Sequence, residues 1–289
     1  MNRQGEMDSF PKRVELLPAK RRALMLEHLR INGAASIQEL ADTTGGSQST
    51  VRRDLEHLVE RGHLERTHGG AYLLQPSRAT FERERLLNAH LRLAEKVAIG
   101  REAASRLAAG DSVILDSSST VMEAVRAAAE RDIPLTLVTN SLEIADFAAD
   151  VKSWRLIMPG GSIRPGYRHL AGEPGESFIR SLHADLCMTG AAAVTGTLLT
   201  DSTLEVAALK RAMISSARRT LLLVDSSKFA PPGFCTFCEI SQIHEVISDD
   251  GANEESVAAL RAVETIVTLV KPVSAARLLK ANVEEEDEG

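Results

Sequence analysis

A run of small hydroxyl residues stands between a predicted strand and a predicted helix. Asp116-Ser117-Ser118-Ser119-Thr120 follows the apolar run Val113-Ile114-Leu115 and precedes a helical stretch from Val121 to Ala129. Backbone N–H groups and hydroxyls in such a turn surround an anion, and the helix dipole favours negative charge there. The segment therefore predicts a phosphate cradle, the alternative being a serine-rich helix cap without a ligand. Lys228 follows another predicted strand and adds a cation, so the two features indicate a phosphorylated small molecule.

A second group of polar side chains begins a predicted helix at residue 47. At 100° per residue, Val51, Leu55 and Leu58 share one stripe that packs inward. The first turns also carry side chains that are uncharged or basic and able to form hydrogen bonds: Ser47, Gln48, Ser49, Thr50, Arg52 and Arg53. Arg and Gln bond base edges in the major groove, and Ser and Thr bond phosphates. This pattern predicts a DNA-reading helix that enters the groove by its N-terminal end, the alternative being a solvated basic face.

Two shorter helices are predicted before the reading helix. Met25, Leu26 and Leu29 share one face of the first, and Ile37, Leu40 and Ala41 share a face of the second. The segment from Ser36 to Glu39 has the pattern of a capping box, which fixes where the second helix begins. Thr44-Gly45-Gly46 then predicts a sharp turn, with Ser47 as the cap of the reading helix. Helix, short helix, turn and helix together indicate a helix-turn-helix.

A hairpin is predicted behind the reading helix. His63 to Thr67 and Ala71 to Leu74 have the composition of strands, and Gly69-Gly70 that of a tight turn. A basic hairpin in this position is a wing. We expect Arg66 and His68 to lie near the sugar-phosphate backbone, together with Arg22 at the start of the first helix.

The remainder of the chain has the βαβ pattern of a mostly parallel sheet, because apolar runs alternate with Ala-rich helical stretches. The apolar runs end in polar or glycine-containing segments: Asp116, Thr139-Asn140-Ser141, Pro159-Gly160-Gly161, Asp225 and Ser248-Asp249-Asp250. Ligands of open α/β sheets bind at the carboxyl ends of the strands. We therefore expect these strand ends to form the rim of one pocket.

Length and composition are those of a soluble globular protein. The 289 residues suggest two domains at roughly 100 to 200 residues each, and 44% hydrophobic with 26% charged residues excludes disordered and fibrous proteins. Residues 1–80 carry 12 Lys and Arg against 10 Asp and Glu, whereas the rest carries 22 against 30. This excess of basic over acidic residues in the first 80 positions is too small to indicate DNA binding by itself.

No uncharged stretch approaches the roughly 20 residues of a membrane span, and no secretion signal is recognisable, so we expect a cytoplasmic protein.

The segment from Ser36 to Ala71 resembles the winged helix-turn-helix of the DeoR family of bacterial transcriptional regulators. The family pattern is a Ser-x-x-Thr-Ile-Arg-Arg-Asp-Leu run followed by Arg-Thr-His-Gly-Gly-Ala, and this chain matches it at Ser47, Thr50, Arg52, Arg53, Asp54, Leu55 and residues 66–71. Further stretches that match are 115–120, 135–142, 159–161, 205–214 and 224–229, so the resemblance spans most of residues 18–270.

The resemblance implies a C-terminal domain with a ribose 5-phosphate isomerase-like fold that responds to phosphorylated sugars or related metabolites. By the same resemblance, the effector site comprises Asp116, Ser117, Ser118, Ser119, Thr120, Asn140, Ser141, Lys210 and Lys228. The rival interpretation is a sugar-phosphate isomerase, which needs a carboxylate base to move a proton. The related isomerases carry Asp-Gly-Ala-Asp-Glu, whereas this chain has TGAAAV at residues 189–194 and no ionisable side chain until Asp201. The missing base favours binding without turnover.

No metal or cofactor is predicted. Cys235 and Cys238 have the spacing of zinc and redox sites, but zinc takes four ligands and the third thiol, Cys187, lies in a predicted buried strand. The pair is therefore interpreted as two ordinary thiols.

These observations predict a DNA-binding regulator of carbohydrate-metabolism genes, a repressor, controlled by a phosphorylated sugar or related metabolite; the alternative is a sugar-phosphate isomerase-like enzyme. We expect a winged helix-turn-helix at 18–74, a linker at 75–88, a Rossmann-like α/β sensor and oligomerisation domain at 89–272, and an acidic disordered tail at 281–289. One winged helix-turn-helix, here called a head, buries too little surface to bind its operator specifically by itself. We therefore expect a homo-oligomer, a dimer or tetramer, that holds two heads about 34 Å apart on double-stranded operator DNA.

Overall fold

The computed structural model describes residues 18–32, 34–61, 63–66, 69–73, 91–165 and 167–272. These residues divide into two compact units, one comprising the described residues up to Leu91 and the other beginning at Arg92. His68, the linker predicted at 75–88 and the tail predicted at 281–289 lie outside the described residues.

The N-terminal unit contains the three helices and the hairpin that the sequence predicts. Its elements are α1 (Pro18–Asn32), β1 (Ala34–Ser36), α2 (Ile37–Thr44), α3 (Gln48–Glu60), β2 (Leu64–Arg66) and β3 (Gly70–Leu73). The three strands form an antiparallel sheet in the order β1-β3-β2. Met25, Leu29, Leu40, Leu55 and Leu64 are fully buried and join the three helices to β2.

Local signals set the boundaries of α2 and α3. The Ser36 hydroxyl accepts from the Glu39 N–H at 3.2 Å, and the Glu39 carboxylate accepts from the Ser36 N–H at 2.7 Å, which completes the predicted capping box. Gly45 ends α2 with φ +67°, a left-handed conformation that glycine adopts without strain. Ser47 caps α3 by accepting from the Thr50 N–H.

The hairpin pairs with a third strand, β1, that the sequence did not predict. Ala34 pairs with Tyr72, and Ser36 pairs with Gly70. Gly70 is therefore not part of a free turn, as predicted, but the first residue of β3. A Cβ atom at Gly70 would lie 2.0 Å from the carbonyl oxygen of Ala35, so only glycine allows β1 and β3 to approach this closely.

Ser36→Ala is expected to lower the free energy of unfolding of the N-terminal unit by about 1 kcal/mol, because the Glu39 N–H loses its partner. Hydrogen exchange of the α2 amides in the intact chain measures the loss. Ser36→Thr keeps a hydroxyl cap and is the matched control. The backbone and side-chain hydrogen bonds of Ser36 hold the pKa of Glu39 below its ordinary value, so protonation of Glu39 at low pH removes the reciprocal bond. Equal exchange in the wild type and the alanine variant would contradict a stabilising role for the cap.

The second unit is built on a seven-stranded sheet with the order β13-β12-β10-β7-β4-β5-β6, in which every neighbouring pair is parallel. Its elements are α4 (Leu93–Ala104), β4 (Ser112–Leu115), α5 (Ser119–Ala129), β5 (Leu135–Thr139), α6 (Leu142–Ala149), β6 (Trp154–Ile157), α7 (Gly175–Arg180), β7 (Ala184–Thr189), β8 (Ala193–Thr195), β9 (Leu198–Asp201), α8 (Leu204–Ser215), β10 (Ala217–Leu223), β11 (Cys235–Glu239), β12 (Glu245–Asp249), α9 (Glu254–Ala262) and β13 (Ile266–Val270). The antiparallel sheet β11-β9-β8 was not predicted from the sequence.

The apolar runs of the central strands are continuous because both faces of the sheet are covered. Val113 and Leu115 pack into the cluster that contains residues of α4, α5 and α6, whereas Ile114 packs on the opposite side with Met213 of α8. Alternate side chains of β4 thus enter different cores, which is the behaviour of a strand buried on both faces. The predicted α/β fold class with a mostly parallel sheet is confirmed.

Candidate nucleic-acid interface and effector site

The outward face of α3 is open to solvent at its N-terminal end. Ser47, Gln48, Ser49, Arg52 and Arg53 are exposed. Thr50, also predicted to bind DNA, is partly buried. Among the residues that the structure describes, the guanidinium groups of Arg52 and Arg53 have no hydrogen-bond or ion-pair partner. Val51, Leu55 and Leu58 are fully buried on the opposite stripe, as predicted.

The first turn of α3 holds a connected set of polar side chains. The Ser47 hydroxyl lies 2.9 Å from the hydroxyls of both Ser49 and Thr50. The amide of Gln48 donates to the side-chain oxygen of Gln38 on α2 at 2.6 Å. Sequence reasoning did not select Gln38, because its contact with Gln48 forms only when the turn folds α2 against α3.

A buried ion pair holds α1 against α3. Asp54 is 6% exposed, its Oδ2 lies 2.5 Å from Arg21 Nε, and its Oδ1 lies 3.4 Å from Arg22 Nε. Arg22 Nε also donates to the carbonyl of Pro18 at 3.1 Å. Arg22, predicted to contact the DNA backbone, is thus held against the protein by its Nε, and its DNA contact stays a prediction.

The wing presents charges of both signs. Arg66 is exposed, and its Nη1 lies 3.1 Å from the Glu56 carboxylate of α3. The Tyr72 hydroxyl donates to Glu65 on the neighbouring strand. Because Arg66 is paired, a phosphate has to compete with Glu56 for it. His68 lies outside the described residues, so its predicted role is untested.

In the second unit, the sheet has its topological switch point between β4 and β7, because β5 and β6 lie on one side of β4 while β7, β10, β12 and β13 lie on the other. Asp116 follows β4 at this point and is 1% exposed. Its Oδ1 accepts from the Ser118 N–H at 2.8 Å, and its Oδ2 accepts from the Thr189 hydroxyl and the Gly190 N–H, both at 2.9 Å. The carboxylate of Asp116 therefore shapes the turn between β4 and α5.

Lys210 of α8 is buried beneath this turn. Its Nζ lies 3.2 Å from Asp116 Oδ2 and 2.8 Å from Asp201 Oδ2, and it donates to the Gly190 carbonyl at 2.9 Å. Burial disfavours the charged ammonium, but the two carboxylates outweigh it and raise the pKa of Lys210 above its ordinary value. An ammonium group has three N–H donors, so these contacts occupy all of them. Lys210 thus joins the ends of β4, β7 and β9 through Asp116, Gly190 and Asp201, and it has no free N–H donor for a ligand.

The hydroxyl run at residues 117–120 is partly used by the protein itself. Ser118 caps α5, because its hydroxyl accepts from the Thr120 N–H at 3.2 Å. A Cβ atom at Gly190 would lie 2.6 Å from Ser118 Oγ, so glycine is needed where β7 passes this turn. The hydroxyls of Ser117, Ser119 and Thr120 have no hydrogen-bond partner within the described part of the chain. They lie at the positive end of α5, at the switch point of the sheet.

Asn140 and Ser141 follow β5, the neighbour of β4. The side-chain amide of Asn140 donates to the Leu170 carbonyl at 2.9 Å, while its Oδ1 is buried without a hydrogen-bond partner in the described structure. Ser141 caps α6. A hydrogen-bond acceptor thus remains open at the end of β5, where a ligand hydroxyl would satisfy it.

Lys228 lies in a different group of charges. It belongs to a short 3₁₀ helix after β10, two strands away from β4 in the sheet. Burial raises the pKa of Asp225, but the charges of Lys228 and Lys96, a hydrogen bond from Ser227 and the charge of Arg92 together more than offset this, and the pKa lies below its ordinary value. At about 4.8 Å per strand, the axes of β10 and β4 are separated by roughly 10 Å, and the contact of Lys228 with a ligand at the hydroxyl run stays a prediction.

A cleft of about 330 Å³ opens between the loop after β6 and the start of α8. Its lining includes Arg164, Tyr167, Ser202, Glu205 and Phe234. The loop after β6 is attached to the end of β5, since the Leu170 N–H donates to the Asn140 carbonyl. Ser202 follows Asp201, which binds Lys210. Both walls of the cleft are therefore anchored to the strand ends that carry the predicted effector residues, although the sequence did not predict the cleft.

The two cysteines of the Cys-x-x-Cys motif have separate environments. Cys235 Sγ lies 3.2 Å from the Thr203 carbonyl, and Cys238 Sγ lies 3.1 Å from Gln242 Oε1. Burial raises the pKa of Cys238 to about 11, which suppresses the thiolate. Among the described residues, no group of His, Cys, Asp and Glu side chains forms a candidate metal site.

The two carboxylates that meet at Lys210 are poorly suited to proton transfer. Asp116 and Asp201 both bind its ammonium group. Burial raises the pKa of Asp201, but the charge of Lys210 more than offsets it, and the pKa lies below its ordinary value. An ionised carboxylate tied to an ammonium is a poor base for a carbon-bound proton.

Within the described residues, no helix has the length and apolar character needed to cross a membrane.

A winged helix-turn-helix followed by an α/β unit with polar strand ends defines the class of two-domain transcriptional regulators. Residues 21–77 match the DeoR-like helix-turn-helix domain, and residues 91–250 match the DeoR C terminal sensor domain. The chain belongs to the DeoR family of transcriptional regulators. The predicted resemblance is confirmed, and so is the prediction of a DNA-binding regulator rather than an enzyme.

Relatives match over nearly the whole chain. The uncharacterized HTH-type transcriptional regulator YgbI of Escherichia coli (strain K12) is 29% identical, covering 85% of this chain and 95% of its own. YulB of Bacillus subtilis (strain 168), of the same description, is 31% identical, covering 88% of this chain and 98% of its own. The glycerol-3-phosphate regulon repressor of E. coli (strain K12) is 31% identical, covering 78% of this chain and 88% of its own. Among solved structures, ribose 5-phosphate isomerase A from Methanocaldococcus jannaschii is similar over 47% of this chain and 53% of its own, at 18% identity and a TM-score of 0.36.

Proposed function

We propose that the chain is a repressor of carbohydrate-metabolism genes that releases its operator when a phosphorylated sugar or related metabolite binds the second unit. The observation that carries this proposal is the turn after β4. It has free hydroxyls at the positive end of α5, at the switch point of a parallel sheet, where phosphate groups are bound in other α/β proteins. One relative is named as the repressor of a glycerol-3-phosphate regulon, which supports a phosphorylated effector.

In this proposal the phosphate binds at Ser117, Ser119 and Thr120, while Asp116, Ser118 and Lys210 hold the turn in shape. The open Oδ1 of Asn140 accepts from a hydroxyl of the same ligand. Ser141 positions this strand end as the cap of α6. The cleft beside α8 takes the part of the ligand that extends away from the phosphate. Lys228 contributes long-range positive charge from the end of β10.

The N-terminal unit supplies DNA recognition. Gln48, Arg52 and Arg53 bond base edges. Phosphates are bound by the remaining residues of the proposed interface: Ser47, Ser49, Thr50, Arg22, Arg66 and His68. A symmetric homo-oligomer, a dimer or tetramer, presents two such units to one face of the operator, with the contacts between subunits made by the second unit. Ligand binding changes the separation of the two heads, a coupling of about 1 to 3 kcal/mol.

Thr120→Val is expected to weaken the response to the effector by roughly tenfold, because valine has the shape of threonine without the hydroxyl that bonds the charged phosphate. Fluorescence anisotropy of operator DNA, titrated with glycerol 3-phosphate and with pentose and hexose phosphates, measures the response. DNA affinity without ligand should stay at the wild-type level. Thr236→Val, on the exposed side of β11, is the matched control. Equal operator occupancy with and without every phosphorylated compound would remove the proposed regulation.

A further inference from the structure

A relay of three side chains connects α2 to the start of the reading helix. Gln38 Nε2 donates to Asp42 Oδ1 at 2.9 Å, one helical turn along α2. Gln48 Nε2 donates to Gln38 Oε1 at 2.6 Å, across the turn between the two helices. Gln38 therefore uses both groups of its amide within the protein, whereas Gln48 uses one N–H and leaves its oxygen and second N–H for a partner outside.

Asp42 fixes the direction of this relay. A carboxylate accepts hydrogen bonds and donates none, so Gln38 must turn its NH₂ group toward Asp42. The oxygen of Gln38 then faces Gln48, and Gln48 must turn its own NH₂ group inward. Reversing either amide would bring two acceptors together without a proton between them, which costs free energy in the water-poor groove of a DNA complex.

The direction of the relay determines what Gln48 offers to DNA. Its Oε1 and its second N–H remain available, side by side, at the first residue of α3. This acceptor and donor pair matches the N6 amine and the N7 atom of adenine, to which glutamine bonds with both groups. The reversed amide would exchange the positions of Oε1 and Nε2. Its oxygen would then face the N7 acceptor of adenine and its NH₂ group the N6 amine, so both contacts with adenine would be lost, whereas the same NH₂ group could donate to the O6 acceptor of guanine.

We propose that Asp42 and Gln38 are positioning residues that set the base preference of Gln48 to adenine over guanine. The proposal rests on the proposed DNA-reading role of α3, and neither Asp42 nor Gln38 has to touch a base. Because Gln38, Asp42 and Gln48 are all exposed on the free unit, substitutions there leave the core intact.

Selection from a pool of random duplexes by the full-length chain, followed by sequencing, tests the relay. The wild type is expected to enrich adenine at one position of each half-site, and Gln48→Ala to lose the preference at that position alone. In Asp42→Asn, guanine should also be enriched at this position, so that the ratio of adenine to guanine falls by about fivefold or more. This factor is the lower end of what one good base contact provides. An asparagine amide both donates and accepts, so it no longer dictates how Gln38 is turned.

A double variant separates positioning from a general effect of charge. In Gln38→Glu combined with Asp42→Asn, the carboxylate moves to position 38, where it again forces the NH₂ group of Gln48 inward. This variant is expected to restore the wild-type ratio of adenine to guanine. Glu60→Gln removes one negative charge at the exposed far end of α3 and is the matched control, expected to leave the ratio unchanged.

The outcomes are distinguishable. If the wild type enriches a sequence but Asp42→Asn selects the same base with the same strength, the relay is overturned and the DNA-reading role stands. Failure of the double variant to recover a ratio that Asp42→Asn has lost also overturns it. If the wild type enriches no sequence at all, the proposed function fails, and the relay fails with it.

Discussion

Arg53→Ala is expected to weaken sequence-specific DNA binding strongly while metabolite binding is preserved. Arg53 is exposed on the outward face of α3 and has no partner within the described structure, so its loss leaves the fold of the N-terminal unit unchanged. One good base contact provides about 1 to 3 kcal/mol of discrimination, and a symmetric complex loses it twice. Affinity for the operator should therefore fall by about 30-fold or more relative to random duplex, as measured by competition binding.

Arg61→Ala is the matched control for Arg53→Ala. Arg61 is exposed at the C-terminal end of α3, and its side chain likewise has no partner in the part of the chain that the structure describes. Its removal takes away the same charge at the end of the helix that points away from the groove, so the preference for operator over random duplex should be retained. Equal loss of preference in both variants would mean that general positive charge, not the position of Arg53, determines recognition.

Lys210→Met is expected to reduce the free energy of unfolding of the second unit by about 3 to 5 kcal/mol. The change leaves Asp116 and Asp201 buried side by side without their shared cation, and breaking a buried ion pair on one side is strongly destabilising. Denaturant unfolding of the intact chain measures the loss. Lys152→Met, on the exposed surface after α6, removes the same group where it is solvated and should change the free energy of unfolding little.

The effect of Lys210→Met should depend on pH. With Lys210 present, the pKa of Asp201 is below its ordinary value, so the stability that this carboxylate contributes is present at neutral pH and is lost as the pH falls through the folded-state pKa. Without Lys210, the burial that raises the pKa of Asp201 is no longer offset by the neighbouring ammonium, so this carboxylate takes up a proton more readily in the folded state. The stability deficit of the variant should therefore shrink on acidification. A constant deficit from neutral to acidic pH would contradict the shared-cation arrangement.

The helices of the N-terminal unit were predictable because their signals are local. The capping box at Ser36, the glycine turn at Gly45 and the cap at Ser47 all act between residues within four positions of one another. The inward stripe of α3 follows from helical periodicity alone. The wing was less predictable: β1 is three residues long, and its pairing with Gly70 joins segments that are more than 30 positions apart.

The strand ends were predictable as a set, but their internal contacts were not. Apolar runs followed by polar residues are visible in the sequence, and the parallel sheet brings them to one edge. The contact between Lys210 and Asp116 joins residues 94 positions apart, so no periodicity or motif reveals it. On a helix, Lys210 has the sequence pattern of a surface residue, whereas the structure buries it between two carboxylates.

The antiparallel sheet β11-β9-β8 was missed for a similar reason. Strand β11 is separated from β9 by α8 and β10, so the pairing between Cys235 and Asp201 has no local signal. The cleft beside α8 depends on this sheet, since Phe234 precedes β11 and Ser202 follows β9. Gln38 was the most accessible of the missed residues, because its spacing of four from Asp42 on one helix already predicts a side-chain hydrogen bond.

The most direct test of the central claim is competition binding of the purified chain to a duplex enriched by selection, against random duplex at moderate salt, with and without phosphorylated sugars. We expect the enriched duplex to be preferred by about 1,000-fold or more, a ratio typical of specific DNA-binding proteins, and to be released by at least one phosphorylated compound. Equal affinity for enriched and random duplex would contradict the account.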